Sequence, residues 1–525
     1  MSHILSTCKS EKLLWRIPFD RIKKTKNMHM KKVMLSAAVA VMLLTVSCRK
    51  IEIDGNGNGN GNGNGNGDGS TVTLSGRITK DITLKKGDDN ILTGLVYITS
   101  GVTLTVEAGA VVKGDYKGTN VAALIITRGA KIEAKGTADD PIVFTSSSPD
   151  PRSGDWGGIV LCGKANVNTA FTGTGGGQGI MEVEGGINNA DGDGLAGGGT
   201  TPDDADNSGT LQYVRIEYAG YAYQPDKEVN SLTMAAVGSG TTIDHVQVSY
   251  AKDDAYEWFG GSVNCKYLIA YKTQDDDFDT DNGFSGSVQF GLIVRDSLIA
   301  DISKSESFES DNNSAGAAVT PQTKAVFSNI TSVGPLETIN NMGNSNYLAA
   351  AQIRRNSSIS IFNSVFIGWP TGLLIDATTG RATDRNIDDS TLRIGGVVIA
   401  GCKTPVNYTK GSNADVTGAT PQSITDWVTK PFYKNRIINR ADSVAGLYTR
   451  PFDYASPDFI PFGNANSVLV DKPASGSTAA TIFTYFDDPV ITARTFITPV
   501  NFIGAIAPAG EYASWHKGWT RFGTN

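Results

Sequence analysis

Short apolar segments that recur along most of the chain limit the possible folds more than any other feature of this sequence. Gly101–Gly109 (GVTLTVEAG) is echoed by Gly129–Gly136 (GAKIEAKG), and similar runs of Val, Ile and Leu follow at irregular intervals. Each run is too short to cover a domain core, but stacked coils of such runs bury one continuous apolar column. With 60 glycines and few candidate helices, the best at Ser423–Asn435, the chain is predicted to be all-β.

The intervals between these runs favour a right-handed, single-stranded parallel β-helix with long loops over other all-β folds. A β-propeller repeats at a regular period of about 40–50 residues. Here the intervals vary widely, as expected when successive coils carry loops of different length. Parallel coils rise by about 4.8 Å, the usual distance between strands, so the body is predicted to be a rod.

The first 70 residues have the composition of an export and anchoring signal. Lys31 and Lys32 precede an apolar run that is too short to span a bilayer comfortably, and Ser47 and Cys48 follow it. This pattern is similar to a bacterial lipobox, in which Cys48 becomes the acylated first residue. It predicts an outer-membrane lipoprotein of the cell envelope, facing the periplasm or the surface. An ordinary signal peptide with a chance Cys is the alternative.

Composition divides the chain into five predicted segments. The Gly-Asn repeats after Asp54 cannot bury apolar surface and therefore predict a flexible tether. The strand repeat is lost near the C-terminus, where an irregular segment is predicted to cap the open solenoid edge or to pack along the solenoid instead of forming a separate enzyme domain. The segments are an upstream extension before the true start codon (1–29), a lipoprotein signal peptide (30–47), the tether (48–70), the β-helix (71–408) and the cap (409–525).

The distribution of charge excludes some partners. Residues 1–47 hold nine Lys/Arg against two Asp/Glu, and the rest of the chain holds 37 against 51. A body this acidic does not favour nucleic acid, whose phosphates need cationic partners. No Gly-rich nucleotide motif follows a strand and opens a helix, so no nucleotide is predicted. The predicted partners are a membrane, through the lipid anchor, and a polysaccharide.

The closest repeat places acidic residues at matching positions of three successive coils. Asp254–Glu257 aligns with Asp276–Asp279 at an offset of 22, and Phe278–Asn282 aligns with Phe308–Asn312 at an offset of 30. If each offset is one coil, equivalent side chains lie one strand spacing apart. The predicted columns are Asp254, Asp276 and Glu306; Glu257, Asp279 and Glu309; Asp281 and Asp311; and an aromatic column inside the core of Tyr256, Phe278 and Phe308.

Calcium offers one reason to keep such an acidic strip, because stacked carboxylates otherwise repel one another. Calcium takes about six to eight oxygen ligands, which clustered Asp and Glu provide. A solvated turn is the alternative, since Asp and Asn tolerate tight bends. The Gly-rich stretch 173–209 is predicted to be a long mobile loop with weaker calcium potential. The predicted calcium ligands are Asp254, Glu257, Asp275, Asp276, Asp279, Asp281, Glu306, Glu309 and Asp311.

A catalytic interpretation uses the same strip, and the sequence leaves it open. Polysaccharide lyases built on β-helices use calcium to neutralise a uronate and a Lys or Arg as base, whereas two carboxylates could serve as acid and base in glycoside hydrolysis. A binding or structural module is the preferred hypothesis, and a calcium-dependent lyase is the second. The candidate bases are Lys252, Lys272, Arg295 and Lys304, and the candidate glycan contacts are Trp258 and Tyr271.

Several motifs resemble a family of β-helix lipoproteins common in the Bacteroidetes. They are Leu104–Gly109 (LTVEAG), Gly154–Gly158 (GDWGG), Glu257–Gly261 (EWFGG) and the terminal Gly518-Trp519, and the resemblance covers most of residues 71–525. It implies a pectate-lyase-like fold and a surface or periplasmic location. It implies no particular activity, so no catalytic residue is carried over from it.

Overall fold

A computed structural model gives the structure of the folded body. It describes residues 69–523 apart from 225–226, 342, 412–414, 439–446, 454–455, 462–467 and 472–482. The predicted signal peptide, Cys48 and the Gly-Asn tether lie outside the described residues. In the part of the chain that is described, no helix combines the length and the apolar character needed to cross a membrane.

The body is a right-handed parallel β-helix, as the sequence predicted. Twenty-six strands of the described chain belong to one sheet, and each pairs in parallel with strands of the neighbouring coils. The N-terminal coils contain β1 (Thr71–Ile78), β2 (Ile82–Leu84), β3 (Asp89–Ile98), β4 (Thr103–Val106), β5 (Val111–Gly114), β6 (Ala123–Ile126), β7 (Lys131–Lys135), β8 (Ile142–Ser146) and β9 (Ile159–Cys162).

Alternation of side chains explains why these short runs form strands. In β4, Leu104 and Val106 point into the solenoid and are buried, while Thr103 and Thr105 point outward. Leu104 lies directly beside Ile132 of the next coil, so apolar side chains stack into a continuous column. The repeat of apolar runs therefore sets both the strands and their register.

The Gly-rich stretch after β9 is folded, contrary to the prediction of a mobile loop. It forms two short antiparallel hairpins, whose strands are β10 (Ala170–Phe171), β11 (Gly177–Gln178), β12 (Met181–Glu182) and β13 (Leu195–Ala196). Val183 and Ile187 are buried in an apolar cluster that joins this excursion to the wall of the solenoid. The stretch folds because these few apolar side chains find partners there.

The central coils carry the acidic repeat. Their strands are β14 (Gly209–Glu217), β15 (Ala222–Gln224), β16 (Lys227–Glu228), β17 (Leu232–Ala235), β18 (Thr242–Ser249), β19 (Tyr256–Phe259), β20 (Asn264–Tyr271), β21 (Phe278–Asp281), β22 (Ser287–Val294), β23 (Phe308–Ser310) and β24 (Val326–Val333). Tyr256, Phe278 and Phe308 are completely buried, with neighbouring ring centroids 5.6 and 5.5 Å apart. The predicted aromatic column inside the core is confirmed.

The last coils complete the sheet and a capping helix follows. Their elements are β25 (Ala349–Ile353), β26 (Ser360–Phe362), β27 (Val365–Ile367), β28 (Thr371–Asp376), α1 (Arg385–Asp388), β29 (Ile394–Gly395), β30 (Val398–Ala400), β31 (Thr404–Thr409), α2 (Pro421–Val428) and β32 (Arg436–Ile438). Helix α2 begins with a capping box at Thr420. It is shorter than the predicted helix because Pro431 follows closely.

The chain after β32 packs along the outside of the coils. Its elements are β33 (Tyr448–Arg450), β34 (Asp458–Pro461) and α3 (Pro489–Thr492). The amide groups of Gln247 and Gln289 each donate to and accept from the main chain of this segment, at 2.7–2.9 Å. Trp519 is completely buried against the coils. These side-chain amides therefore fix the C-terminal segment along the wall of the solenoid.

Candidate metal centre

Register between β19, β21 and β23 places acidic side chains in a column on the outer wall. Glu257 lies beside Asp279, and Asp279 lies beside Glu309, on three consecutive coils. The column continues as Thr233 on one side and Gln352 on the other, so its carboxylates are limited to these coils. The predicted column is confirmed.

A second column runs through the turns that precede these strands. Oδ1 of Asn230 accepts a hydrogen bond from the amide of Asp254 at 3.2 Å, and Oδ1 of Asp254 accepts from the amide of Asp276 at 2.8 Å. Oδ1 of Asp276 accepts in turn from the amide of Glu306 at 2.6 Å. Each side chain thus fixes the backbone of the next coil. The predicted column is confirmed and gains Asn230 as its first member.

The two columns form part of the wall of a cavity of about 230 Å³. Nine of the thirteen lining residues carry a carboxyl group and two carry a cation, so the cavity is strongly acidic. This surface, called the acidic cavity below, is lined by Glu184, Glu228, Asn230, Asp253, Asp254, Glu257, Asp275, Asp276, Asp279, Ser303, Lys304, Glu309 and Arg354.

Three groups of carboxylates at the acidic cavity are close enough to share a cation. In each group, one oxygen atom from every member lies within 4.8 Å of the others. Oxygen ligands without nitrogen or sulfur suit a hard divalent cation. The groups are Asp253, Asp254 and Asp275; Asp254, Glu257 and Asp279; and Asp276, Glu306 and Glu309. These clusters can therefore hold a metal ion.

Glu306 gives a second indication that a ligand belongs here. It does not line the acidic cavity, but its carboxylate lies within 4.8 Å of those of Asp276 and Glu309, which do. Its side chain is 1 % exposed, and neither carboxylate oxygen has a hydrogen-bond partner among the described residues. Oδ1 of Asp279 is also buried without a partner in that part of the chain. A buried ionised carboxylate without a partner is unfavourable, and either a cation or a proton removes the cost.

Burial raises the pKa of the carboxyl groups in the acidic cavity. For Asp276, Glu257 and Asp279 the pKa lies well above its ordinary value, first through burial and then through neighbouring carboxylates. Burial also raises the pKa of Glu306 to about 7 and that of Glu309 to about 8. The raised pKa values therefore favour protonation of these groups when no cation is bound.

Two cationic side chains line the acidic cavity and differ in their surroundings. Arg354 pairs with both Asp311, at 2.8 Å, and Glu309. Nζ of Lys304 donates to the carbonyl of Ser345 at 3.4 Å, and the Lys304 side chain is exposed. Arg354 thus fixes one wall of the cavity. Lys304 is the one predicted base that the structure places at the cavity.

The other three predicted bases lie elsewhere. Arg295 is completely buried and pairs with Asp277 at 3.0 Å inside the solenoid, so its prediction as a base is wrong. Lys272 is mostly buried and pairs with Asp296 at 3.2 Å. Neither Lys272 nor Lys252 lines the acidic cavity. Arg295 is inside because the buried charge of Asp277 needs a counter-charge.

The prediction that Trp258 and Tyr271 contact a glycan is also wrong. Both side chains are completely buried. The Trp258 ring stacks on Phe284 with centroids 5.3 Å apart, and Tyr271 meets Phe522 edge-on at 5.2 Å. Trp258 is interior because it alternates along β19 with Glu257, which faces outward.

Two of the predicted metal ligands do not belong to the three carboxylate groups. Asp311 pairs with Arg354 and with Arg355, at 2.8 and 2.6 Å. Oδ1 of Asp281 accepts from the neighbouring amide of Asn282 at 2.5 Å. Asp311 is already neutralised by two guanidinium groups, so its prediction as a ligand is wrong, and Asp281 stands apart from the groups.

Sequence reasoning missed several residues that complete the acidic cavity. Asn230 and Asp253 stand on neighbouring coils, and extending the repeat by one coil toward the N-terminus would have found Asn230. Glu184 comes from the Gly-rich excursion, which no repeat connects to the acidic strip. Six lining residues were missed: Glu184, Glu228, Asn230, Asp253, Ser303 and Arg354.

The protein is thus a parallel β-helix whose outer wall carries acidic clusters that could hold a metal ion. The model of the pectate-lyase-like β-helix domain matches residues 76–430. Because this match spans more than half of the chain, the protein belongs to that family. No curated protein and no solved structure matches the chain. Membership of this family supports a carbohydrate-related β-helix protein.

Proposed function

We propose that the acidic cavity binds calcium and that the bound ion holds a glycan against the solenoid, so that the protein acts as a binding module. The observation that carries the proposal is the convergence of carboxylates from three coils, with the buried Glu306 left without a partner. Calcium suits the site better than magnesium, because it accepts more oxygen ligands in less regular geometry. A calcium ion with open coordination positions can bind sugar hydroxyls or a uronate carboxylate.

Calorimetric titration with calcium tests the proposal on paired variants. Glu306→Gln keeps the shape of the side chain, and Asp276→Asn keeps the oxygen that accepts from the Glu306 amide, so both should fold. Each removes a charged ligand, and we expect calcium affinity to fall roughly tenfold or more, as for loss of about 1.4 kcal/mol or more. Asp150→Asn changes an exposed carboxylate outside the cavity and serves as the control. Equal heats in all four proteins, or none in the wild type, would refute the proposal.

A calcium-dependent polysaccharide lyase is the second candidate, and Lys304 is the observation that favours it. Its exposed side chain lines the acidic cavity, where a base beside a cation-bound uronate would have to stand. Lyase action on uronate polymers forms unsaturated ends that absorb ultraviolet light. If Lys304 is the base, we expect this absorbance with wild type and calcium, and its loss in Lys304→Ala. Absence of new absorbance on every uronate polymer tested would exclude the lyase.

We also propose that the protein is anchored to the outer membrane through lipid on Cys48. The support is the apolar run before Cys48 and the Gly-Asn tether after it. Two acyl chains would hold the folded body stably at the membrane. We expect labelled fatty acid to be incorporated into the wild type and into Cys402→Ser, which changes a buried cysteine of the folded body, but not into Cys48→Ser. Label that persists in Cys48→Ser, or is missing from the wild type, would contradict anchoring at this residue.

A further inference from the structure

A second cavity, of about 390 Å³, adjoins the acidic cavity. Strand β19 connects the two, because Glu257 lines the acidic cavity and Phe259, two residues later on the same face, lines the second. Glu184 belongs to the walls of both. A ligand that is held in the acidic cavity would therefore extend directly into the second one.

The lining of the second cavity combines apolar rings with oxygen acceptors. The rings of Phe171 and Phe259 and the thioether of Met181 supply apolar surface, and Glu182 and Asp281 supply carboxylates. No Lys or Arg lines it within the described part of the chain. A sugar ring has complementary chemistry, because its C–H face packs on aromatic rings and its hydroxyls donate to carboxylates.

The position of Phe171 is built into the Gly-rich excursion. A Cβ atom at Gly173 would come within 2.2 Å of the Phe171 ring, and one at Gly176 within 2.1 Å of the Phe171 carbonyl. Only glycine therefore allows the turn to close around this ring. Phe259 is 7 % exposed and is packed in the same apolar cluster as Met181. The backbone of the turn thus fixes Phe171, and the apolar cluster fixes Phe259.

We infer that the second cavity is a subsite for a neutral sugar ring next to the residue that the cation binds. This inference rests on the proposed function, because the acidic cavity fixes the neighbouring residue. A uronate in the second cavity would face Glu182, Glu184 and Asp281 with no lining cation to offset its charge. The ligand class is therefore a glycan that places a neutral residue beside an acidic one, in preference to a polymer of uronates alone.

Calorimetry with two hexasaccharides in calcium tests this subsite. One probe alternates galacturonate with the 6-deoxyhexose rhamnose, and the other contains galacturonate alone. We expect the wild type to bind the alternating probe more tightly, and Phe171→Ala to bind that probe roughly tenfold more weakly. The control is Phe432→Ala, which removes a ring that is 71 % exposed and lines neither cavity. It should leave both affinities unchanged.

Calcium titration of the same proteins separates failure of the subsite from failure of the cation site. Phe171→Ala should bind calcium as the wild type does, because it removes no carboxylate. Equal affinity of the wild type for the two probes, or an unchanged affinity in Phe171→Ala, overturns the subsite while calcium binding stands. A wild type that binds no calcium overturns the proposed function together with this inference.

Discussion

Calcium should stabilise the folded protein strongly at pH 8 and only weakly at pH 5. The buried carboxyl groups in and beside the acidic cavity have raised pKa values, about 7 for Glu306 and about 8 for Glu309. At pH 5 these groups hold protons, which compete with calcium, whereas at pH 8 more of them are ionised and repel one another. With calcium at a thousand times its dissociation constant, binding contributes about 4 kcal/mol to the free energy of unfolding.

The same carboxyl groups determine how the stability of the calcium-free protein changes with pH. A carboxyl group in the unfolded chain has a pKa of about 4, so the folded state binds more protons between pH 4 and pH 8. The stability that these protons provide is complete below pH 4 and is lost as the pH rises through the folded-state values. We therefore expect the melting temperature in chelator to fall from pH 5 to pH 8.

Melting temperatures in calcium and in chelator, at pH 5 and at pH 8, test how calcium binding depends on the protonation of these carboxyl groups. Glu306→Gln should weaken the calcium effect at pH 8, and it should also lessen the fall in chelator because one titrating group is gone. Asp150→Asn should behave as the wild type. Calcium stabilisation that is equal at pH 5 and pH 8 would mean that the ion binds outside the acidic cavity.

Arg295→Met should destabilise the protein by about 3–5 kcal/mol, because it leaves the carboxylate of Asp277 buried without its counter-charge. The guanidinium lies 3.0 Å from Asp277 and 5.1 Å from the ring of Tyr347, inside the solenoid. Even beside Arg295, burial raises the pKa of Asp277 to about 6. The variant should therefore unfold at a lower denaturant concentration, and the loss should be smaller at pH 5, where Asp277 takes up a proton.

The double variant Arg295→Met/Asp277→Leu is the matched control for this buried pair. Apolar side chains of similar volume often replace a buried ion pair at little cost. We expect the double variant to recover much of the stability that the single variant loses. Two results would contradict this role of the ion pair. One is an equal denaturation midpoint for the single variant and the wild type, and the other is a double variant as unstable as the single variant.

The acidic columns could be predicted because a parallel β-helix converts sequence offsets into contacts. Glu257, Asp279 and Glu309 follow one another at intervals that match whole coils, and parallel pairing without a register shift places them side by side. The aromatic column inside the core was predicted in the same way. In both cases the sequence repeat specifies which residues lie side by side on neighbouring coils.

The positions of the other residues in and near the acidic cavity depend on contacts that no sequence repeat predicts. Glu184 reaches the acidic cavity from an excursion whose path is set by a few buried apolar residues, and Arg354 meets Asp311 from a later coil. The burial of Arg295 could not be inferred from its charge. Its position depends on Asp277, which is completely buried in the turn before β21, where the alternation of side chains along a strand gives no guide.

The most direct test of the calcium proposal is a crystal structure of the folded body grown with calcium, with anomalous scattering to locate the ion. The proposal predicts an anomalous peak in the acidic cavity, at about 2.3–2.6 Å from carboxylate oxygens of Asp254, Glu257 and Asp279 or of the group around Glu306. Anomalous peaks found only outside the cavity, with these carboxyl groups bonded to one another through protons, would contradict it.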